Sequence, residues 1–319
     1  MTQLRFADIA VNLTDPQFIG SYHGRVKHAS DLDDVVDRAR SRGVEKMLIT
    51  GTSLSESRGA VDMAKSYQLH CTAGCHPTST GEIAGHQGGQ EGYIAELVKL
   101  VEEDRRDSRR IIAIGEVGLD YDRLHFASRQ TQQAHLPALL LLSKRFHLPL
   151  FLHSRHPEAH TDLVAALNQV GWDAQTWPGA VVHSFTGTIS EVDELVRMGL
   201  YIGLNGCSLK TPENLSVVKD IPLDRLLIET DAPWCSITTS HASHAHLPQP
   251  GSPLLLEKVN KPEKHKPGAG VKGRMEPCEV PIIAQVIANV KGISLKEVAH
   301  AAWSNTLRLF YPEEIASTP

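Results

Sequence analysis

The feature that most constrains the fold is a regular alternation of short apolar, β-prone runs with longer amphipathic stretches. The strand candidates are nearly continuous in apolar residues, as expected of parallel strands buried on both faces. There are eight of them: Arg5–Val11, Lys46–Thr50, His70–Cys75, Ile111–Val117, Pro149–His153, Ala180–Ser184, Leu200–Asn205 and Leu226–Thr230. Eight strand–helix repeats favour a closed barrel over an open doubly wound sheet. We therefore predict an α/β fold, a (β/α)8 TIM barrel in a single domain over residues 1–319.

The helical stretches between the strands carry recognisable start and stop signals. Asp31–Arg42 has one apolar face and is followed by Gly43, a typical helix stop. Glu191–Met198 repeats the pattern, with Ser190 as the expected N-cap and Gly199 as the stop. Two further helices are expected to complete the outer ring, Glu279–Lys291 and Ser294–Phe310.

Two segments interrupt the alternation. Pro77–Gly92 is rich in Gly, His and Ser, and we predict a long loop there. Ala232–Glu276 follows the eighth strand without clear periodicity. Loops of that length inside a compact domain are usually functional or disordered, so residues 232–276 are predicted to form an active-site loop.

Composition limits the function classes. The net charge of −5 excludes a globally basic nucleic-acid binder, so a polyanion would be held by a local basic patch or by metal. Five cysteines without a Cys-x-x-Cys pair predict reduced thiols in an intracellular protein. The N-terminus resembles a strand rather than a signal peptide, and the most apolar stretch, Leu136–Leu152, is interrupted by charged residues. We expect a soluble, non-secreted monomer with no membrane contact, cytoplasmic or alternatively nuclear.

Metal-ligand side chains stand at or just past the ends of five strands. They are His76, Glu116, His153, His183 and Asp231. Because the carboxyl ends of barrel strands converge on one mouth, these residues are expected to meet in space. Imidazole and carboxylate groups bind Zn²⁺, Mn²⁺ or Mg²⁺. Taken singly, each His could be structural and Glu116 a helix cap, but all five stand on the same side of their strands.

Other candidates are less specific. Arg155 could pair with a phosphate or be an ordinary surface arginine. Asp120 and Glu229 could orient ligands, or could serve as helix caps or ion-pair partners. The loop from Lys258 to Arg274 is basic in an otherwise acidic chain, so it is either a phosphate-binding arm beside the site or a solvated loop.

Seven motifs together resemble the TatD-type metal-dependent deoxyribonucleases. They are Asp-Ile-Ala-Val-Asn-Leu-Thr (8–14), Gly-Cys-His-Pro (74–77), Gly-Glu-Val-Gly-Leu-Asp-Tyr (115–121), Phe-Leu-His-Ser-Arg (151–155), Val-Val-His-Ser-Phe-Thr-Gly (181–187), Tyr-Ile-Gly-Leu-Asn-Gly-Cys-Ser-Leu-Lys-Thr (201–211) and Leu-Ile-Glu-Thr-Asp-Ala-Pro-Trp-Cys (227–235). The last two of these motifs, together with Arg-Met-Glu-Pro-Cys (274–278), look most like the eukaryotic branch of that family. The resemblance implies a metal-dependent barrel nuclease with 3′-to-5′ exonuclease activity, linked to DNA fragmentation or repair.

The resemblance also implies roles for individual residues. Glu116 would be the metal-bridging carboxylate, His153 and His183 ligands of one metal, Asp231 a ligand and base, and His76 part of the phosphate-binding region. Many relatives carry Asp-x-His-x-His in the first strand, where this chain has Ala10 and Asn12 in place of the histidines. One firm metal site plus a looser, Mg²⁺-filled one is therefore expected, with the Asn12 amide oxygen as a candidate ligand.

The predicted function is metal-dependent hydrolysis of DNA phosphodiester bonds. Glu116, His153, His183 and Asp231 would hold one or two divalent ions, with Mg²⁺ expected and Mn²⁺ or Zn²⁺ as alternatives. Asp231 would accept a proton from the attacking water. His76, Arg155 and Arg274 would bind the phosphoryl oxygens. The alternatives are an amidohydrolase-like enzyme acting on a small molecule or on D-aminoacyl-tRNA, and a barrel without catalytic activity.

Overall fold

Eight strands form one sheet in the computed structural model, which describes residues 4–316. They are β1 (Phe6–Val11), β2 (Val44–Ile49), β3 (His70–Ala73), β4 (Ile111–Asp120), β5 (Leu150–Arg155), β6 (Ala180–Val182), β7 (Tyr201–Leu204) and β8 (Leu226–Ile228). Their order in the sheet is their order in the chain. Neighbouring strands from β3 to β7 are parallel. Val11 at the end of β1 forms a parallel bridge to Ala232 beyond β8. The predicted (β/α)8 TIM-barrel class is confirmed by this connectivity.

Helices connect the strands and continue to the C-terminal end of the described chain. They are α1 (Leu32–Ser41), α2 (Leu54–Tyr67), α3 (Thr80–Gly85), α4 (Gly89–Asp107), α5 (Arg129–Phe146), α6 (Pro157–Gln169), α7 (Ile189–Arg197), α8 (Pro212–Asp220), α9 (Val280–Lys291), α10 (Leu295–Phe310) and α11 (Pro312–Ala316). Among the described residues, no single helix is both long and apolar enough to cross a membrane; α9 with the turn before it and α10 meet that test only as a pair, bent by 117°.

The chain divides into two compact units. One contains the chain up to Leu48 and Gly203–Thr306, and its core includes fully buried Ile9 and Ile287. The other contains Ile49–Ile202 and the chain from Leu307, with Phe151 at its centre. The expectation of a single domain stays a prediction.

Local signals explain where helices begin and end. α1 buries Leu32, Val35, Val36 and Ala39 as its apolar spacing predicts, and Gly43 follows with φ +81°. The prediction of Ser190 as the N-cap of α7 was wrong. Thr188 caps this helix instead, because its hydroxyl accepts from the Glu191 amide while the Glu191 side chain accepts from the Thr188 amide.

The predicted loop Pro77–Gly92 was also wrong. This segment forms a short 3₁₀ turn, then α3 and the first turn of α4. Ile83 is fully buried and anchors α3 to the core, a contact that the Gly- and Ser-rich composition conceals. Residues 232–276 are largely irregular, with 3₁₀ turns and one parallel pair of two-residue strands, Val259–Asn260 and Gly270–Val271.

Candidate metal centre

One oxygen of Glu116 is the meeting point of three imidazole rings. Glu116 Oε1 lies 2.6 Å from His153 Nδ1, 2.7 Å from His183 Nε2 and 3.4 Å from His76 Nε2. His153 Nδ1 and His183 Nε2 are themselves 3.4 Å apart. All four side chains are buried, each with no more than 8% of its residue surface exposed. Four of the five strand-end residues singled out in the sequence therefore come together.

Glu116, His153 and His183 lie in or just after three neighbouring strands of the sheet. Glu116 lies within β4, next to a register irregularity between Ile114 and Val117 in the pairing with β5. His153 belongs to β5, and His183 follows β6, where its amide donates to Leu152 of β5. Gly74 precedes His76, and a Cβ on Gly74 would lie only 2.8 Å from the Glu116 carbonyl oxygen. Only glycine fits there, so the backbone before His76 can lie directly against that of Glu116.

The electrostatics favour a charged Glu116 beside a neutral His76. Burial alone would raise the pKa of Glu116, but the charges of His183 and His76 and hydrogen bonds from His153 and His183 hold it well below its usual range. Burial lowers the pKa of His76 to about 4, against the opposing effect of Glu116. Near neutral pH, His76 is therefore uncharged and Glu116 is a carboxylate.

The contacts of His76 show which of its ring nitrogens carries the proton. His76 Nδ1 accepts from the Thr78 backbone amide at 3.1 Å and lies 2.6 Å from Thr78 Oγ1. A ring nitrogen that accepts from a backbone N–H carries no proton, so neutral His76 bears its hydrogen on Nε2. This nitrogen faces the cluster as a donor.

Asp120 lies on the far side of the His153 ring. Its Oδ2 is 3.2 Å from His153 Nε2, and Arg123 Nη1 lies 3.8 Å from the same oxygen. β4 extends to Asp120, three residues beyond its predicted end, so this carboxylate belongs to the strand rather than to a helix cap. Of the roles left open for Asp120, the contact supports that of orienting His153.

Asp231 belongs to the other compact unit, where it follows β8. Asn12 Nδ2 donates to Asp231 Oδ1 at 2.9 Å, and the Cys235 thiol donates to Asp231 Oδ2 at 3.4 Å. Asn12 therefore contacts Asp231 through its amide nitrogen, and the expectation that its amide oxygen binds metal stays a prediction. Asp231 has φ +55°, a left-handed conformation that is uncommon for aspartate.

Two residues that sequence reasoning had not singled out support the site residues. Thr78 fixes the His76 ring, and its signal was its position two residues after a histidine at a helix start. Buried Asp8 accepts from the amide and the hydroxyl of Thr230, which anchors the backbone just before Asp231. Burial raises the pKa of Asp8 to about 8.

The two arginines proposed for phosphate binding differ. Arg155 ends β5, is half-buried, and donates to Ser184 Oγ at 3.4 Å. Arg274 is buried, and its guanidinium binds both oxygens of Asp31 and one oxygen of Glu276. Because these donors are used internally, the structure does not present Arg274 to a substrate.

The donors around Glu116 suit a divalent cation. Imidazole nitrogens and a carboxylate oxygen are the donor types that Zn²⁺ and Mn²⁺ sites use, and ligating histidines commonly donate their second N–H to a carboxylate, as His153 does to Asp120. Because the buried carboxylate is charged, it would attract a cation strongly. The fold and this donor set define a metal-dependent hydrolase.

Comparison with known proteins gives the family. The model of the family described as TatD related DNase matches residues 7–311. A protein of Schizosaccharomyces pombe named deoxyribonuclease Tat-D is 43% identical over 96% of each chain. One of Erwinia tasmaniensis, named 3′-5′ ssDNA/RNA exonuclease TatD, is 36% identical over 95% of this chain and 98% of that one.

A solved structure agrees with these relatives. The crystal structure of a TatD-family hydrolase from Entamoeba histolytica is 34% identical, with a TM-score of 0.87 over 98% of this chain and 100% of the other. The chain belongs to the TatD-related DNase family, and the resemblance inferred from its motifs is confirmed.

Proposed function

We propose that this enzyme hydrolyses phosphodiester bonds in DNA, with a divalent cation held by Glu116, His153, His183 and Asp231. The observation that carries the proposal is the convergence of three imidazoles on Glu116 Oε1 in a buried cluster. Its relatives' names, deoxyribonuclease and exonuclease, supply the substrate class. A bound divalent cation in such a site polarises a phosphoryl oxygen and lowers the pKa of water.

The protein side chains would hold the substrate and move a proton. Asp231, its Oδ1 held by Asn12, is the proposed acceptor of the water proton. His76 Nε2–H would donate to a phosphoryl oxygen, a role that its contact with Thr78 supports. Arg155 would add a positive charge from the end of β5.

We propose Mg²⁺ as the working ion, with Mn²⁺ and Zn²⁺ as alternatives, and attack from the 3′ end. The direction is supported by the name of the bacterial relative. A role in DNA fragmentation or repair, a monomeric state and a cytoplasmic or nuclear location remain predictions.

The test is degradation of single-stranded oligonucleotides labelled at either end. Wild-type protein with Mg²⁺, Mn²⁺ or Zn²⁺ should shorten a 5′-labelled strand stepwise, and EDTA should abolish the reaction. Glu116→Gln and Asp231→Asn should each lose at least about 100-fold in rate. Asp122→Asn, an exposed aspartate of the loop after β4, is the matched control and should keep the wild-type rate. Full DNA-degrading activity in both site variants, or in EDTA, would exclude this function. The amidohydrolase-like alternative would then be tested next.

A further inference from the structure

Two cysteines lie beside Asp231, and the proposed hydrolysis uses neither. Cys207 and Cys235 are partly exposed, whereas Cys71, Cys75 and Cys278 are buried. The Cys235 thiol lies 3.4 Å from Asp231 Oδ2 and is hydrogen-bonded to the Cys207 thiol. The Cys235 thiol is therefore hydrogen-bonded both to the Cys207 thiol and to the Asp231 carboxylate, and all three residues belong to the same compact unit.

The backbone is shaped to bring these groups together. A Cβ on Gly206 would lie 1.9 Å from the Cys235 carbonyl oxygen, so only glycine lets the segment before Cys207 pass this close. Asp231 and Cys235 both have positive φ, +55° and +58°. Asp231 begins a turn closed by the Trp234 amide on the Asp231 carbonyl, and Cys235 follows that turn. Such conformations persist only where the surroundings enforce them, and they often mark functional sites.

The Cys207 loop is fixed independently of its thiol. Asn205 Oδ1 accepts from the Cys207 amide at 2.8 Å, and Asn205 Nδ2 donates to buried Glu229 Oε1 at 2.9 Å. The backbone that carries the first sulfur is therefore held by a buried amide and carboxylate. Preorganised donors lose little conformational entropy when they take up a ligand.

We propose that Cys207, Cys235 and Asp231 form a binding site for a thiophilic divalent cation of the Zn²⁺ type. Thiolates select soft or borderline ions, whereas Mg²⁺ prefers oxygen donors. Binding exchanges protons for metal: Zn²⁺ and two thiols give a dithiolate–zinc unit and two released protons. The site would thus compete with the proposed hydrolytic centre for Asp231 while recognising a different class of ion.

Thiol protection tests the proposal on the unmodified protein. Reduced full-length chain is alkylated with iodoacetamide in EDTA, in excess Zn²⁺ or in excess Mg²⁺, and each cysteine is quantified by peptide mass spectrometry. We expect Cys207 and Cys235 to be labelled in EDTA and in Mg²⁺, with loss of labelling at both in Zn²⁺. Unchanged labelling in Zn²⁺ would overturn the proposal.

Cobalt spectroscopy supplies a second readout that does not involve DNA cleavage. Titration with Co²⁺ beyond two equivalents should give a near-ultraviolet sulfur-to-cobalt charge-transfer band from the two cysteines. The band would report on this site alone, because Glu116 and the histidines around it offer no sulfur donor. The band should be lost in Cys207→Ser/Cys235→Ser and kept in Glu116→Gln. A band that survives the double substitution, or a wild-type protein without one, would refute the site. A failed nuclease assay would leave these measurements unaffected.

Discussion

His153 is held between two carboxylates, with Nδ1 2.6 Å from Glu116 Oε1 and Nε2 3.2 Å from Asp120 Oδ2. The nitrogen that faces Glu116 also faces His183, so it is the one available to a metal. Asp120 then fixes which nitrogen carries the proton and increases the basicity of the ring. Burial would raise the pKa of Asp120, but hydrogen bonding to His153 and the charges of His153 and Arg123 lower it, so the carboxylate is charged when it accepts from His153.

Replacing Asp120 should therefore weaken metal binding through His153. We expect Asp120→Asn to lower the affinity for Mn²⁺ by about 10- to 100-fold, and Asp120→Ala to lower it further, because Asn can still accept a hydrogen bond but lacks the charge. Equilibrium dialysis of the purified variants measures this directly. Asp122→Asn is the control and should bind as wild type does. Equal affinity in all four proteins would show that Asp120 does not orient the ring.

Arg274 should matter for stability rather than for substrate binding. It is buried against Asp31 and Glu276, which are also buried and also pair with Arg38, so its removal takes away one of the two guanidinium groups that neutralise these carboxylates. We expect Arg274→Ala to reduce the free energy of unfolding by about 3 kcal/mol, the lower end for a broken buried ion pair, because Arg38 still pairs with both carboxylates. Arg274→Lys should recover only part of it, because an ammonium cannot bind Asp31 in the two-pronged way of guanidinium.

Urea unfolding monitored by circular dichroism measures both losses. Lys272→Ala, an exposed lysine two residues earlier, should unfold like wild type. If Arg274→Ala kept wild-type stability while losing DNA affinity, the prediction that Arg274 binds the substrate phosphate would be supported instead.

Glu279 predicts a pH dependence of stability. Burial, and next the charge of Glu276, raise the pKa of Glu279 from 4.5 to about 7 in the folded chain. Between these two values the folded state keeps a proton that the unfolded state has lost, so stability falls as pH rises from about 4.5 through 7. The full cost above pH 7 is at most about 3–4 kcal/mol.

Glu279→Gln removes this ionisation while its side-chain oxygen can still accept from the Glu276 amide. The variant should match wild type at pH 4.5 and exceed it in free energy of unfolding at pH 8.5, as measured by urea titration at both values. An advantage that is the same at both pH values would mean that ionisation of Glu279 is not its cause.

The strand pattern predicted that His76, His153 and His183 meet around Glu116, because parallel strands of a barrel bring their carboxyl ends to one mouth whatever their separation in the chain. The same expectation for Asp231 stays a prediction. The pattern could not reveal the proton position on His76, which depends on the Thr78 amide. It also could not show that Arg274 is buried in ion pairs while Arg155 is only half-buried, because the pattern of charges along the sequence does not tell which cations pair inside the protein. α3 was missed because Ile83 is its one buried apolar residue, and a single apolar position gives no periodicity.

The basic loop from Lys258 to Arg274 keeps its lysines available although the loop itself is fixed. His265 lies 3.4 Å from Asp31, and the Gly268 amide donates to Asp34 at 2.9 Å, so the loop is held against the start of α1. The lysines point outward: Lys258, Lys261, Lys264, Lys266 and Lys272 are exposed. Exposed cations on a fixed loop suit contact with phosphates, and the loop loses little entropy on binding.

Lys264→Ala/Lys266→Ala should therefore weaken binding of single-stranded DNA in a salt-dependent manner. Each lost phosphate contact lowers the slope of log affinity against log salt by about 0.7, so the pair should lower it by about 1.4. Fluorescence anisotropy of a labelled oligonucleotide in EDTA, over a range of NaCl concentrations, gives the slope without cleavage. The control is Lys99→Ala/Arg106→Ala on α4, which removes the same charge from exposed i,i+4 ion pairs and should leave the slope unchanged. If both double variants changed the slope equally, overall net charge would account for the effect, and the loop would not be a DNA-binding surface.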